Sequence, residues 1–339
     1  MKIAMVSVGA SPLTAHSDPR GLHIAELAAA LARQRHSVTV YTSAHDGFPG
    51  RTTRDGYAVV HLPQDLGEFA DGLVEHWQDR PHVVHARSWE SGVVSGLSAR
   101  RAGVPFVLAP HGDGENEPPS ARRALCNAAD RIIVTSARRA AELVSAGARK
   151  ARVRVVPPGV NADVFQPDGP RASRARPHRV LWVGESPSGY GVERLKAVRD
   201  TEFVQENEST RRLATAERAA FIRSADVVVC AGSTAEHERT VLEAMACGVP
   251  AVVIVPGGPT DVVVHGVTGV HVSRDAHVEL VRTLRALLAD PSQLDLLGTS
   301  ARDRACVRYS WDRIATDTAY VYEQAISAHG GLLDRVAQE

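Results

Sequence analysis

Lys2–Gly9 reads KIAMVSVG, Gly21–His36 reads GLHIAELAAALARQRH, and Ser37–Ser43 reads SVTVYTS. The first is an apolar run of strand length, the second places its apolar residues at helical spacing, and the third returns to β-branched residues. Strand, helix and strand within about forty residues leave room for only one arrangement. The two strands lie parallel in one sheet, joined by a right-handed crossover.

The same alternation continues outward. YAVVHLP (57–63), HVVHARS (82–88), FVLAPHG (106–112), RIIVTS (131–136) and RVRVVPPG (152–159) read as further strands, with helical stretches such as ARRALCNAA (121–129) between them. QPDGPRASRARPH (166–178) interrupts the pattern and reads as a linker. A second set then begins at RVLWVGE (179–185) and continues through DVVVCAG (226–232), VPAVVIV (249–255) and GVHVS (269–273). HVELVRTLRALLAD (277–290) is a clear helix with Asp-Pro as its stop signal, and SWDRIATDTAYVYEQAISA (310–328) is the last. The expectation is an α/β protein of two Rossmann-like domains facing across a cleft. The first covers 1–165, the second 178–310, and a C-terminal helix, 311–328, packs back onto the first.

Composition narrows the function. Lys+Arg and Asp+Glu are 39 each, so no net charge draws the chain to nucleic acid or an anionic membrane. Cys126, Cys230, Cys247 and Cys306 form no CxxC pair and read as reduced thiols. His82 and His85 fall on opposite faces of a strand, so the histidines present no ligand-spaced cluster and no metal is expected. The N-terminal apolar run is too short for a signal peptide and no stretch reaches membrane-spanning length, so the expected location is the cytoplasm. P-loop, GxSxG and GxGxxG patterns are absent, which removes the NTPase, hydrolase and dinucleotide readings.

Two segments after strands carry chemistry. Glu236–Pro250, EHERTVLEAMACGVP, sets Glu243 on a helix expected to begin near it, where free N–H groups and a carboxylate can hold a ribose and a phosphate. Pro256–Gly269, PGGPTDVVVHGVTG, supplies glycines for close backbone approach.

LEAMACGVPAV followed by GGPTDVVVHGVTGV resembles the family-four retaining glycosyltransferases of GT-B fold. The resemblance extends to PRGLHIAELAAALARQRHSVTVYTS, HVVHARS, LAPHG, VRVVPPGVNADVF and SWDRIATDTAYVYE, nearly the whole chain. It implies transfer of a sugar from an NDP-sugar donor, bound as substrate by the second domain with no resident cofactor, to a small acceptor held by the first. It implies that Glu243 holds the ribose, that backbone at Gly184 and at Thr240, Val241 and Leu242 cradles the phosphates, that His111 faces the transferred sugar, and that Gly21 lies in a flexible loop near acceptor and phosphates. Three positions depart from the family pattern. Ala235 stands where the first of two paired glutamates is usual, with Glu236 one residue late. Glu185 and Tyr190 stand where an arginine and a lysine contact the pyrophosphate; Arg239, Arg194 or Lys196 are the candidate substitutes. Finally, only 42 residues separate Gly184 from Asp226, too few for the usual further βαβ material. Asp113, Glu115 and Glu117, just after His111, suggest an amino-bearing acceptor. The competing expectation is a catalytically degenerate relative that acts as a ligand-binding or partner subunit.

Overall fold

The computed structural model describes residues 1–14, 18–43, 50–111, 118–190, 200–232 and 234–336. The chain divides into two compact units, Met1–Pro157 with Ile314–Glu339, and Pro158–Arg313. The stretch 158–177 therefore belongs with the second unit, where Gly159 lies so close to the Trp311 ring that a Cβ would meet Cδ2 at 2.4 Å.

In the first unit, strands β1 (Lys2–Ser7), β2 (Ser37–Ser43), β3 (Arg51–Arg54), β4 (Tyr57–Leu62), β5 (Val83–Ser88), β6 (Phe106–His111), β7 (Arg131–Val134) and β8 (Val153–Val155) form one sheet. Their order is β3-β4-β2-β1-β5-β6-β7-β8. All neighbours are parallel except β3 and β4. Helices α1 (Pro19–Arg33), α2 (Leu66–His76), α3 (Trp89–Ala102), α4 (Pro119–Ala128) and α5 (Ala137–Ser145) connect them. Ala4, Val6, Val84, Ala86 and Leu108 face a core shared with Phe69, Leu73, Trp89 and Val94 of α2 and α3. The sequence reading missed β3, because RTTR carries no apolar residue. Asp55-Gly56, both at positive φ, is nevertheless the two-residue turn that makes β3 and β4 a hairpin.

In the second unit, β9 (His178–Gly184), β10 (Thr201–Gln205), β11 (Val227–Ala231), β12 (Ala251–Val255) and β13 (Gly269–Ser273) form a parallel sheet in the order β10-β9-β11-β12-β13. Helices α6 (Glu208–Arg211), α7 (Thr215–Arg223), α8 (Ala235–Ala246), α9 (His277–Ala289) and α10 (Pro291–Tyr309) accompany it. Both faces are covered: Leu181, Val183, Val228 and Val253 pack with α7, α8 and α10, while Val180, Trp182, Val229 and Ile254 pack with α9. That two-sided burial is why VVVCA is apolar throughout. β10 was unforeseen, yet one βα step does fit between Gly184 and Asp226. α10 was missed as well. Asp290, read as a stop, caps it by accepting from Gln293 N at 3.0 Å, with Pro291 as its first residue.

The last helix, α11 (Trp311–Val336), runs from the second unit into the first. Within the first unit its Tyr322 hydroxyl lies 2.6 Å from His85 Nδ1 on β5, and Gln324 Oε1 accepts from Arg154 Nε at 2.9 Å. Cys126, Cys230 and Cys247 are buried, Cys306 is half-buried, and all four are free thiols. No helix of the described residues is long and apolar enough to cross a membrane.

Candidate functional site

In a doubly wound sheet, ligands bind beyond the carboxyl ends of the strands where strand order reverses. In the second unit that point lies between β9 and β11. Gly184 ends β9 at φ +104, and a Cβ there would stand 2.2 Å from Ala231 O. Only glycine fits, and Glu185 N then donates to Ala231 O at 2.8 Å, closing the two strand tips together. Helix α8 starts beside this crevice. Thr234 caps it by accepting from His237 N at 3.3 Å, while Thr234 N donates to His237 Nδ1 at 3.4 Å. Burial first, then Arg211, holds the His237 pKa below its ordinary value.

Glu185 and Tyr190, the residues in place of the family cations, are tied to a cation from elsewhere. Arg274, just beyond β13, donates through Nη1 and Nη2 to the two Glu185 oxygens at 2.8 and 3.0 Å. The Tyr190 hydroxyl donates to Glu185 at 2.9 Å, and the Arg274 guanidinium lies 5.6 Å from the Tyr190 ring centroid. Hydrogen bonds from Arg274 and Tyr190 lower the Glu185 pKa. Burial and Glu185 push that of Tyr190 up to about 12. A guanidinium thus stands at the carboxyl edge of this sheet, beside Gly257 of the glycine loop, although no cation occupies the expected positions in sequence. Arg194 and Lys196 lie outside the described residues.

Glu243 differs most from expectation. Helix α8 begins at Ala235, so Glu243 falls near its C-terminal end and does not meet free N–H groups. It is 2 % exposed. Its Oε2 accepts from Arg218 Nε at 2.6 Å and its Oε1 from Arg239 Nε at 2.7 Å. Arg218 also donates to Glu206 at 3.0 Å and to the Thr240 hydroxyl at 2.8 Å. Burial opposes the Arg218 charge, but Glu243 and Glu206 outweigh it and raise its pKa. Thr240, Val241 and Leu242 are buried in the second half of α8, where backbone N–H groups already serve the helix. Their backbone N–H groups are therefore not open to a phosphate; the N–H groups free of intrahelical bonds are those of the first turn, Ala235–His237. Glu236 sits on that turn, exposed and 3.0 Å from Arg211 Nη1. Sequence reasoning missed Glu206 and Arg218, because nothing in the spacing 206, 218, 243 marks them as neighbours.

In the first unit the order reverses between β1 and β5. Val8 N, just past β1, donates to Ser91 Oγ at 3.0 Å, tying that tip to the start of α3. His111 ends β6 opposite Ser88. Gly21 lies in the first turn of α1 and not in a loop, because Asp18 caps the helix by accepting from Arg20 N at 2.9 Å and Pro19 opens it. Asp113, Glu115 and Glu117 lie outside the described residues. Among the described residues no three His, Cys, Asp or Glu side chains gather as a metal site.

A mostly parallel first sheet and a parallel second sheet with a glycine-closed switch point have the build of a two-domain transferase. The chain belongs to the family-four glycosyltransferases: residues 21–164 match Glycosyltransferase Family 4 and residues 205–304 match Glycosyl transferases group 1. It is 30 % identical to the D-inositol 3-phosphate glycosyltransferase of Streptomyces bingchenggensis over 411 positions, covering 97 % of this chain and 90 % of the relative. It is 29 % identical to that of Xylanimonas cellulosilytica, covering 96 % and 97 %. These alignments are longer than the chain's 339 residues, so the relatives carry segments that this chain lacks. Among solved structures, sucrose-phosphate synthase from Thermosynechococcus elongatus shares the fold at TM-score 0.72 and 21 % identity, covering 97 % of this chain and all of that one. Anabaena HepE in complex with UDP does so at TM-score 0.68 and 17 % identity, covering 95 % and 100 %. The fold is GT-B-like and the protein is an enzyme of the glycosyltransferase class.

Proposed function

We propose that this enzyme moves a sugar from an NDP-sugar to a small hydroxyl-bearing acceptor with retention of configuration. The donor is a substrate of the second unit, and no resident cofactor is assigned. One observation carries the reading: the β9–β11 switch point joins Gly184, the first turn of α8 and the Arg274 guanidinium at one sheet edge. Transfer requires negative charge on the departing diphosphate to be neutralised. The free N–H groups of α8 suit that charge, and Arg274 suits it if the diphosphate draws it from Glu185. The ribose hydroxyls would take the place of Arg239 on Glu243, since Arg239 is the more exposed of its two partners. His111 would lie by the sugar and Gly21 near the acceptor. The relatives' names support a polyol-type acceptor, and the run Asp113, Glu115, Glu117 supports an amino group on it.

A second reading, a partner or ligand-binding subunit without catalysis, is favoured by one fact: Glu243, Glu185 and Arg274 already satisfy one another or their neighbours. Calorimetry with UDP, GDP and TDP separates the two. Binding of one nucleotide, followed by product in a mass-spectrometric donor-by-acceptor screen with amino-bearing and neutral polyols, is the expected result. No binding to any nucleotide would leave the subunit reading.

A further inference from the structure

Two arginines hold Glu243, and they hold different oxygens. Arg218, on α7, donates through Nε to Oε2 at 2.6 Å, and Arg239, one turn earlier on α8, donates through Nε to Oε1 at 2.7 Å. The first grip is interior. Every guanidinium nitrogen of Arg218 is engaged: Nη1 donates to Thr210 O at 3.1 Å, and Nη2 to Glu206 Oε1 at 3.0 Å and to the Thr240 hydroxyl at 2.8 Å. Thr240 in turn donates to Glu206 Oε1 at 2.9 Å, and the other Glu206 oxygen accepts from Arg211 Nε at 3.2 Å. The end of β10 and helices α6, α7 and α8 are thereby tied to one oxygen of Glu243. The second grip is looser. Arg239 is 24 % exposed at its side chain against 4 % for Arg218, and an arginine that precedes its glutamate is the weaker order of a helical i,i+4 pair.

A buried ion network is commonly no more stabilising than apolar side chains of the same volume, so stability alone gives little reason for this one. Geometry gives a better reason. A glutamate carboxyl turns about a last torsion whose wells are broad. Anchoring Oε2 from the interior fixes the plane of the group and leaves Oε1 on the side of the more exposed Arg239. Glu243 also lies about 10 Å along the helix axis from the first turn of α8, where backbone N–H groups are free of intrahelical bonds. That spacing suits a ligand with a diphosphate at the turn and hydroxyls further along.

We propose that Arg218, held in turn by Glu206 and Thr240, is the positioning residue of the donor site. It clamps Oε2 of Glu243 so that Oε1 is the oxygen offered to the ribose hydroxyls, and Arg239 is the partner they displace. This deepens the transfer reading and rests on its placement of the ribose at Glu243. Arg218 touches no substrate atom; it acts through the carboxylate.

The test is calorimetry on the full-length protein with UDP, GDP and ADP, each beside its dideoxy counterpart, which lacks both ribose hydroxyls. A hydroxyl on a carboxylate contributes roughly one to two decades of affinity, so the wild type should prefer the ribose form of the base it accepts by at least about tenfold. Arg218→Lys keeps the charge but replaces the planar fork with a single ammonium, which cannot serve Glu243, Glu206, Thr240 and Thr210 together. It should weaken the ribose form about tenfold and leave the dideoxy form within about threefold, nearly erasing the preference. Thr240→Val, which removes one of the hydrogen bonds that hold the clamp, should cut the preference about threefold, and it takes the place of the lysine variant if that one does not fold. Arg239→Gln should strengthen binding of the ribose form, since the hydroxyls then have no guanidinium to displace. A purely structural role for Arg218 would weaken both forms alike. Equal weakening in Arg218→Lys, an undiminished preference there, or loss of the preference in Arg239→Gln overturns the proposal. Wild-type binding with no preference for the ribose form overturns it together with the ribose placement, and no binding at all removes the transfer reading as well. Where the donor-by-acceptor screen yields turnover, Arg218→Lys should raise donor KM about tenfold with kcat within about threefold. Hydroxyl-dependent binding without turnover would sink the transfer reading and leave the positioning role standing.

Discussion

Arg218 and Arg239 both grip Glu243, but their environments give them different weights. Arg218 is 4 % exposed at its side chain and bridges Glu243 to Glu206, whose own side chain is fully buried. Arg218→Met strips two buried carboxylates of their common partner and should destabilise the second unit by about 3–5 kcal/mol in urea unfolding. Arg239 is 24 % exposed. Arg239→Gln should cost at most about 1 kcal/mol, and on the transfer reading it should alter nucleotide affinity more than it alters stability. Gly184→Ala should be poorly tolerated for a separate reason. Its positive φ alone costs about 1–3 kcal/mol, and the added methyl has only the Ala231 carbonyl to push against. A lowered Tm with lost nucleotide binding is the expected pair of results. Gly184 was reached from sequence through the family resemblance, which marks the glycine that closes LWVG. The Arg218 partner of Glu243 was not, since an ion pair 25 residues apart leaves no local pattern.

At the scale of elements, helix α8 joins a capped start to a buried end. His237 closes the cap, and its folded pKa is depressed below the unfolded value of 6.5. The unfolded chain therefore binds more protons below about pH 6.5, and stability rises with pH through that window. It is fully present above 6.5 and is lost as pH falls through the folded value. His237→Asn should flatten the Tm profile between roughly pH 5 and 7, and a bound diphosphate, by favouring the protonated ring, should flatten it as well. Helix α11 makes a different contact. Tyr322→Phe takes the hydroxyl from His85 in a buried setting and should cost about 1–3 kcal/mol, measured as a drop in the first unit's Tm. The existence of α11 followed from its apolar period. Its particular partners depended on which strand lay beneath it.

For the whole molecule, two units with separate cores predict separate responses. In hydrogen exchange read by mass spectrometry, a nucleoside diphosphate should protect 184–190 and 234–240 and leave 85–92 unchanged. Protection of 85–92 with no change in 184–190 and 234–240 would contradict the assignment of the donor to the second unit. Alternating strand and helix patterns determined by themselves that the chain builds parallel, doubly wound sheets, because period 2 and period 3.6 can each bury an apolar face in only one way. The motif residues added the family. Strand order, the position of Glu243 deep in α8 and the Arg274–Glu185 pairing were decided only by tertiary structure. Charge and hydrogen-bond partners are chosen by distance in space, and a linear sequence does not encode that distance locally.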